Sequence, residues 1–182
     1  MKPKAIIAAE EKLRSAHESY LAAKNAKTMR EIRKTWHEFL IHSNQVFSKL
    51  EQGAKEGSSK GWYDKVKNLR KKEPLLCYLH HSRNAAEHGD TILENDDVFT
   101  GNPAHVTLIF DKFNSDTGKP TGPPLGMASW QAQLTLKTVM DSGVSYPPPP
   151  SHPTDAQFAP AVLDHLAKLI EEAKTRIEKA VV

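Results

Sequence analysis

The chain has 182 residues, of which 38% are hydrophobic and 26% charged, and its mean hydropathy is −0.56. These values suit one globular domain and exclude a disordered chain, and no apolar run approaches the ~18–20 residues of a membrane span. The net charge of +3 is unevenly spread: residues 1–83 carry 18 lysines and arginines against 9 acidic residues, whereas residues 84–182 carry 7 against 13.

The head Met1-Lys2-Pro3-Lys4-Ala5-Ile6-Ile7 imitates a signal peptide, but Glu10, Glu11 and Lys12 end its apolar stretch too early. A first helix is predicted over 4–26, with Ile6, Leu13 and Tyr20 seven residues apart. A second is predicted over 28–52, where Ile32, Trp36, Phe39, Leu40, Phe47 and Leu50 fall within an arc of roughly 100°. Gly53, Gly57, Ser58 and Ser59 read as a loop. A third helix over 60–72 carries Trp62, Val66 and Leu69. Pro74 suits the first turn of a fourth, and Gly89 suits its end.

Beyond Asp90 the periodicity changes to two. Val106, Leu108 and Phe110 alternate with polar positions, as do Trp130, Ala132, Leu134, Leu136 and Met140, which predicts two half-buried strands joined by a loop over 114–126. Pro147 to Pro150 predict a stiff spacer of about 12 Å. A last amphipathic helix over 155–180 carries Phe158, Val162, Leu166, Ile170 and Ile177. The expected fold is mainly α in a single domain over 1–182. It has a four-helix part over 1–90, a β-hairpin insertion over 104–146, and a C-terminal helix over 155–181. The single cysteine, Cys77, excludes an internal disulfide and suits a reducing compartment, so a cytoplasmic protein is expected.

The glycine loops that cradle phosphates are missing, as are a Gly-x-Ser-x-Gly elbow, a His-Glu-x-x-His motif and a Glu-x-x-His pair. No cofactor and no metal are expected. The densest polar chemistry lies at the end of the fourth helix, where His80, Arg83, Asn84, Glu87 and His88 fall within an arc of roughly 140°. Arg83 sits at the edge of the apolar face.

The segment Arg83-Asn84-Ala85-Ala86-Glu87-His88 resembles the signature of the HEPN superfamily (higher eukaryotes and prokaryotes nucleotide-binding domains). That signature is an arginine, four to six residues and a histidine, with a polar residue, often asparagine, directly after the arginine. The resemblance covers roughly residues 1–90. It implies a HEPN-like helical bundle and a metal-independent endoribonuclease acting as a homodimer, in toxin or defence roles, with Arg83, Asn84 and His88 as catalytic residues. A toxin of this kind implies an antitoxin partner such as a small nucleotidyltransferase. Arg30 and His37 also fit the looser spacing, but Glu31 follows Arg30, and the pair lies off the apolar stripe of its helix.

The chemistry suits the residue types. Histidine serves as acid or base near neutral pH, and arginine presents a fork of donors to phosphate oxygens. A two-fold dimer would bring two histidines and two arginines to one cleft. RNA phosphates are expected on Lys65, Lys67, Arg70, Lys71, Lys72 and His80, with Trp62 and Tyr63 available to stack on bases; the alternative, preferred for Trp62, is that its indole packs in the core and the lysines are solvated. The structural alternative has His88 capping the helix and Arg83 pairing with Glu87 at i,i+4. The functional alternative is a catalytically inactive HEPN-like interaction module.

Overall fold

Helix α1 (Pro3–Asn25) begins at a proline whose missing donor the first turn does not use. Helix α2 (Met29–Ala54) begins at a capping box: the Thr28 hydroxyl accepts from the Glu31 amide, and the Glu31 carboxylate accepts from the Thr28 amide, each at 3.2 Å. The computed structural model describes residues 1–26, 28–55, 59–89, 92–94, 107–109, 126–128 and 134–178. The two helices form an antiparallel pair that closes at Gly53, whose carbonyl accepts from the Lys2 amide at 3.1 Å. A Cβ at Gly53 would lie 2.5 Å from that of Ala5. The glycine expected to open a loop is therefore inside the helix, where it lets the two backbones approach.

Helices α3 (Ser59–Lys72) and α4 (Pro74–Glu87) are separated by Glu73, whose carboxylate caps α4 by accepting from the Leu76 amide at 2.8 Å. Helix α5 (Asp155–Glu178) closes the bundle with Phe158, Val162, Leu166 and Ile170, all buried. The Phe158 ring meets Tyr78 of α4 edge-on at 5.4 Å and Trp36 of α2 at 6.2 Å, so one side chain ties three helices together. The structure is a helical bundle with a β-hairpin before the C-terminal helix, and none of the described helices is long and apolar enough to cross a membrane.

The β segment departs from the expected pair of long strands. Strand β1 (Leu93–Glu94) pairs with β4 (Thr135–Leu136), β2 (Thr107–Ile109) with β3 (Gly126–Ala128), and β5 (Val139–Asp141) with β6 (Val144–Tyr146), each antiparallel. The strand predicted to run on to Met140 is cut because its alternation slips. Leu134 and Leu136 are buried, but the next inward residue is Val139, and Met140 is 52% exposed. Residues Ser142 and Gly143 turn the β5–β6 hairpin with φ of 52° and 79°, the double positive φ of a two-residue hairpin turn. Val106, Phe110, Trp130 and Ala132 lie outside the described residues.

The proline run is not a spacer. Pro149 is buried, its carbonyl accepts from the His152 amide at 2.9 Å, and Pro153 accepts from Leu136 at 3.0 Å. The chain thus folds back along β4 before α5 begins. Asp155 completes the return, taking the Leu134 amide on its carboxylate at 2.9 Å.

Candidate active site

Helix α4 places the site, because its buried face of Leu75, Leu76, Tyr78, Leu79, Ser82 and Ala85 fixes which residues turn outward. The helix ends at Glu87. His88 is the C-cap with φ −84° and ψ 3°, and Gly89 follows with φ +91°. The polar arc read from the sequence then divides between two neighbours, α3 and the β5–β6 hairpin.

Toward the hairpin, one carboxylate gathers three side chains. Asp141 Oδ2 lies 2.7 Å from His81 Nδ1 and accepts from Asn84 Nδ2 at 2.8 Å, while Oδ1 accepts from the Ser142 hydroxyl at 3.1 Å. Arg83 donates to Asn84 Oδ1 at 3.2 Å, which joins the Arg-Asn pair to the same network. Hydrogen bonds from His81 first and Asn84 second hold the Asp141 carboxyl down at about 2, well below its ordinary 3.8. An ionised carboxylate only accepts, so His81 Nδ1 carries a proton, and in the neutral ring Nε2 is left as the basic atom. Tyr146 stacks on the same imidazole at 3.5 Å with 9° between planes. This is the arrangement of an oriented general base.

Toward α3, the roles reverse. Arg70 Nη2 lies 3.3 Å from His80 Nδ1 and 3.0 Å from Asn44 Oδ1. Guanidinium only donates, so His80 Nδ1 accepts and its Nε2 carries the proton in the neutral ring. Burial, with the Arg70 charge next, lowers the His80 pKa. Arg70 is itself half-buried over the Phe47 ring at 4.1 Å. Both histidines, with Lys67, Arg70, Lys71, Cys77 and Tyr146, line a cleft of about 350 Å³. Adjacent imidazoles with opposite tautomers therefore border one basic cleft.

The remaining expected site residues are distributed unevenly. Arg83 Nη2 lies 2.6 Å from Glu87 Oε1, the i,i+4 pair of the structural alternative. His88 is exposed at the helix end, and its backbone amide is shared between the Asn84 and Ala85 carbonyls. Arg83 and Asn84 are brought together; His88 stands outside their network. Lys67, Arg70, Lys71 and His80 share the cleft, whereas Lys65 and Lys72 are exposed on α3 and do not line it. Trp62 and Tyr63 are buried at 6% and 3% exposure, with the indole donating to Glu172 and the phenol to the Phe47 carbonyl. They belong to the core and offer no stacking platform.

Sequence reasoning missed Asp141 and Tyr146. The Ser142-Gly143 dipeptide signals a turn and would have put Asp141 at a hairpin tip. Nothing local signals that this tip docks on α4, about 60 residues earlier. Among the described residues no three histidine, cysteine, aspartate or glutamate side chains cluster as metal ligands. Scans against protein-family models, curated proteins and solved structures return no match to this chain.

Proposed function

We propose that the protein is a metal-independent endoribonuclease, as its resemblance to the HEPN superfamily implies, working beside the basic cleft of α3 and α4. The observation that carries this reading is the hydrogen-bond chain Arg83–Asn84–Asp141–His81, which ties the Arg-Asn pair to an oriented imidazole. In this reading His81 Nε2 takes the proton of an RNA 2′-hydroxyl. The freed oxygen attacks the adjacent phosphorus, the bond from phosphorus to the 5′-oxygen breaks, and that oxygen takes a proton from His88. The products are a 2′,3′-cyclic phosphate and a 5′-hydroxyl. Arg83 neutralises the extra charge on the phosphorane, and Lys67, Arg70 and Lys71 hold flanking phosphates. On an ideal helix Arg83 and His88 point roughly 140° apart. A homodimer that supplies His88 from a second copy brings the acid to the cleft.

The test is incubation of the pure protein with mixed RNA in excess EDTA, with His81→Ala, Arg83→Ala and His88→Ala alongside. Wild-type cleavage ending in cyclic phosphate, lost in each variant, supports the reading. Wild-type rates in all three variants defeat the assignment. One observation favours the second reading, an inactive interaction module: Glu87 already occupies the Arg83 guanidinium at 2.6 Å. Wild-type protein that binds RNA or a partner without cutting any substrate would select it.

A further inference from the structure

The β5–β6 hairpin meets α4 through one face. Val139, Asp141 and Tyr146 share that face, because Tyr146 stands opposite Val139 in the antiparallel register and Asp141 is the next residue of β5 on the same side. Val139 is buried at 2% exposure and anchors the face to the core. The Tyr78 hydroxyl donates to the Lys137 carbonyl at 2.6 Å and pins the chain just before β5. Asp141 and Tyr146 are thereby delivered together to one side chain, His81. His80 meets the same ring edge-on, with centroids 5.0 Å apart and 64° between planes, and so gives it no parallel face.

Two constraints of different kinds act on the His81 imidazole. The contact of Nδ1 with Asp141 Oδ2 at 2.7 Å fixes one atom of the ring and leaves the ring free to rock about that atom. The last torsion of a histidine side chain is broad, with no sharp staggered well to stop the rocking. A parallel face does stop it, and Tyr146 supplies one at 3.5 Å and 9°. The Tyr146 hydroxyl has no hydrogen-bond partner among the described residues, so the tyrosine acts on His81 through its ring.

We propose that Tyr146 is a positioning residue: its ring fixes the plane of His81, and together with Asp141 it sets the direction in which Nε2 meets a proton. Asp141 supplies the tautomer and Tyr146 supplies the aim. A base must be held within about 0.5 Å and 10–20° of its productive geometry, and a displacement of about 1 Å can cost about 10²-fold in rate. The use of that aim on an RNA 2′-hydroxyl rests on the ribonuclease reading; the clamp on the imidazole does not. An aromatic ring lining a basic cleft could instead serve the substrate as a stacking surface, and the split between kcat and KM separates the two roles.

The experiment is carbon and nitrogen NMR of the His81 ring in the full chain at about pH 8, where an ordinary imidazole is neutral, with initial rates on mixed RNA in EDTA alongside. In the wild type the ring should be rigid, its protons shifted upfield by the stacked phenol and its Nδ1–H signal present. Tyr146→Leu should keep the Nδ1–H signal, set the ring rocking, and lower kcat about 10- to 100-fold with KM within about twofold. Tyr146→Phe, which keeps the ring, should rescue both readouts. If Tyr146→Leu does not fold, Tyr146→Met carries the same comparison. A wild-type spectrum without the upfield shift denies the stack and overturns the proposal, as does a ring equally rigid in Tyr146→Leu. A raised KM at unchanged kcat places Tyr146 on the substrate and overturns it too. Failure of Tyr146→Phe to rescue assigns the work to the hydroxyl, with the same result. A rigid ring that loosens in Tyr146→Leu, in a protein that cuts no RNA, keeps the clamp and removes the ribonuclease reading.

Discussion

The basic row on α3 and the polar end of α4 use similar side chains in opposite ways. On α3, Lys67 meets Asp64 at 2.8 Å, three residues away, and both side chains are nearly half exposed. On α4, His81 and Asn84 meet Asp141 across separations of 60 and 57 residues, and the Asp141 side chain is 9% exposed. The first kind of pair forms whenever the helix does. The second forms only when the β5–β6 hairpin docks, and docking also buries Val139 and seats Tyr146 on His81. A row of solvated lysines offers charge to whatever approaches, whereas the α4 network offers a fixed geometry. Acid–base chemistry needs the second, because a misplaced base is no base.

The sharpest way to break this comparison is by activity. His81→Ala should lower cleavage about 10²- to 10⁴-fold, the usual weight of a general base, and Lys67→Ala less than about tenfold. Initial rates on mixed RNA in EDTA measure both. A reversed order would mean that the α3 charges carry the function and the α4 network is scaffolding.

Stability against pH comes next. The Asp141 carboxyl is held at about 2 in the fold against an ordinary 3.8. Because the folded value is the lower one, the carboxylate stabilises the fold fully above about pH 4, and that stabilisation is lost as pH falls from 4 toward 2. Asp141→Asn should cost about 1–2 kcal/mol at pH 7, less than the full shift implies because solvent screens the rim of the site. Urea midpoints at pH 7 and pH 3 should differ less for the variant than for wild type. Equal pH dependence in both proteins would place the acid-sensitive contact elsewhere. Asn84→Ala removes one of the two main hydrogen bonds to the same carboxylate and should cost about 1 kcal/mol in the same assay.

The helical part was legible because it depends on patterns within single helices. The stripe Trp36, Phe39, Leu40, Phe47 and Leu50 and the stripe Phe158, Val162, Leu166 and Ile170 are buried as their spacing predicts. Gly53 misled because a helix crossing needs a glycine as much as a loop does, and the sequence around it carries both signals. The strand over 130–140 misled because two residues, Lys137 and Thr138, reset the alternation between Leu136 and Val139. At the candidate site, the motif picks out Arg83 and Asn84, which a hydrogen bond joins, and charge and position pick out Arg70 and His80, which line one cleft. Asp141 was invisible because its partners are specified by tertiary docking, and no local propensity encodes that.

The smallest expected effect has the opposite sign from the rest and tests the α3 side of the comparison alone. The hydrogen bond from Lys67 lowers the Asp64 pKa, but both groups stand in solvent, so the pair adds nothing measurable to stability. Asp64→Asn should leave the melting temperature unchanged. It should free Lys67, at the mouth of the cleft, and tighten RNA binding about twofold at low salt, an effect that fades as salt rises because screening reaches exposed charges first. Fluorescence anisotropy with a labelled single-stranded RNA at two salt concentrations reads this directly. A fall in melting temperature would show that the α3 row is part of the framework. In that case the division between a charged surface and a built site would not hold in this protein.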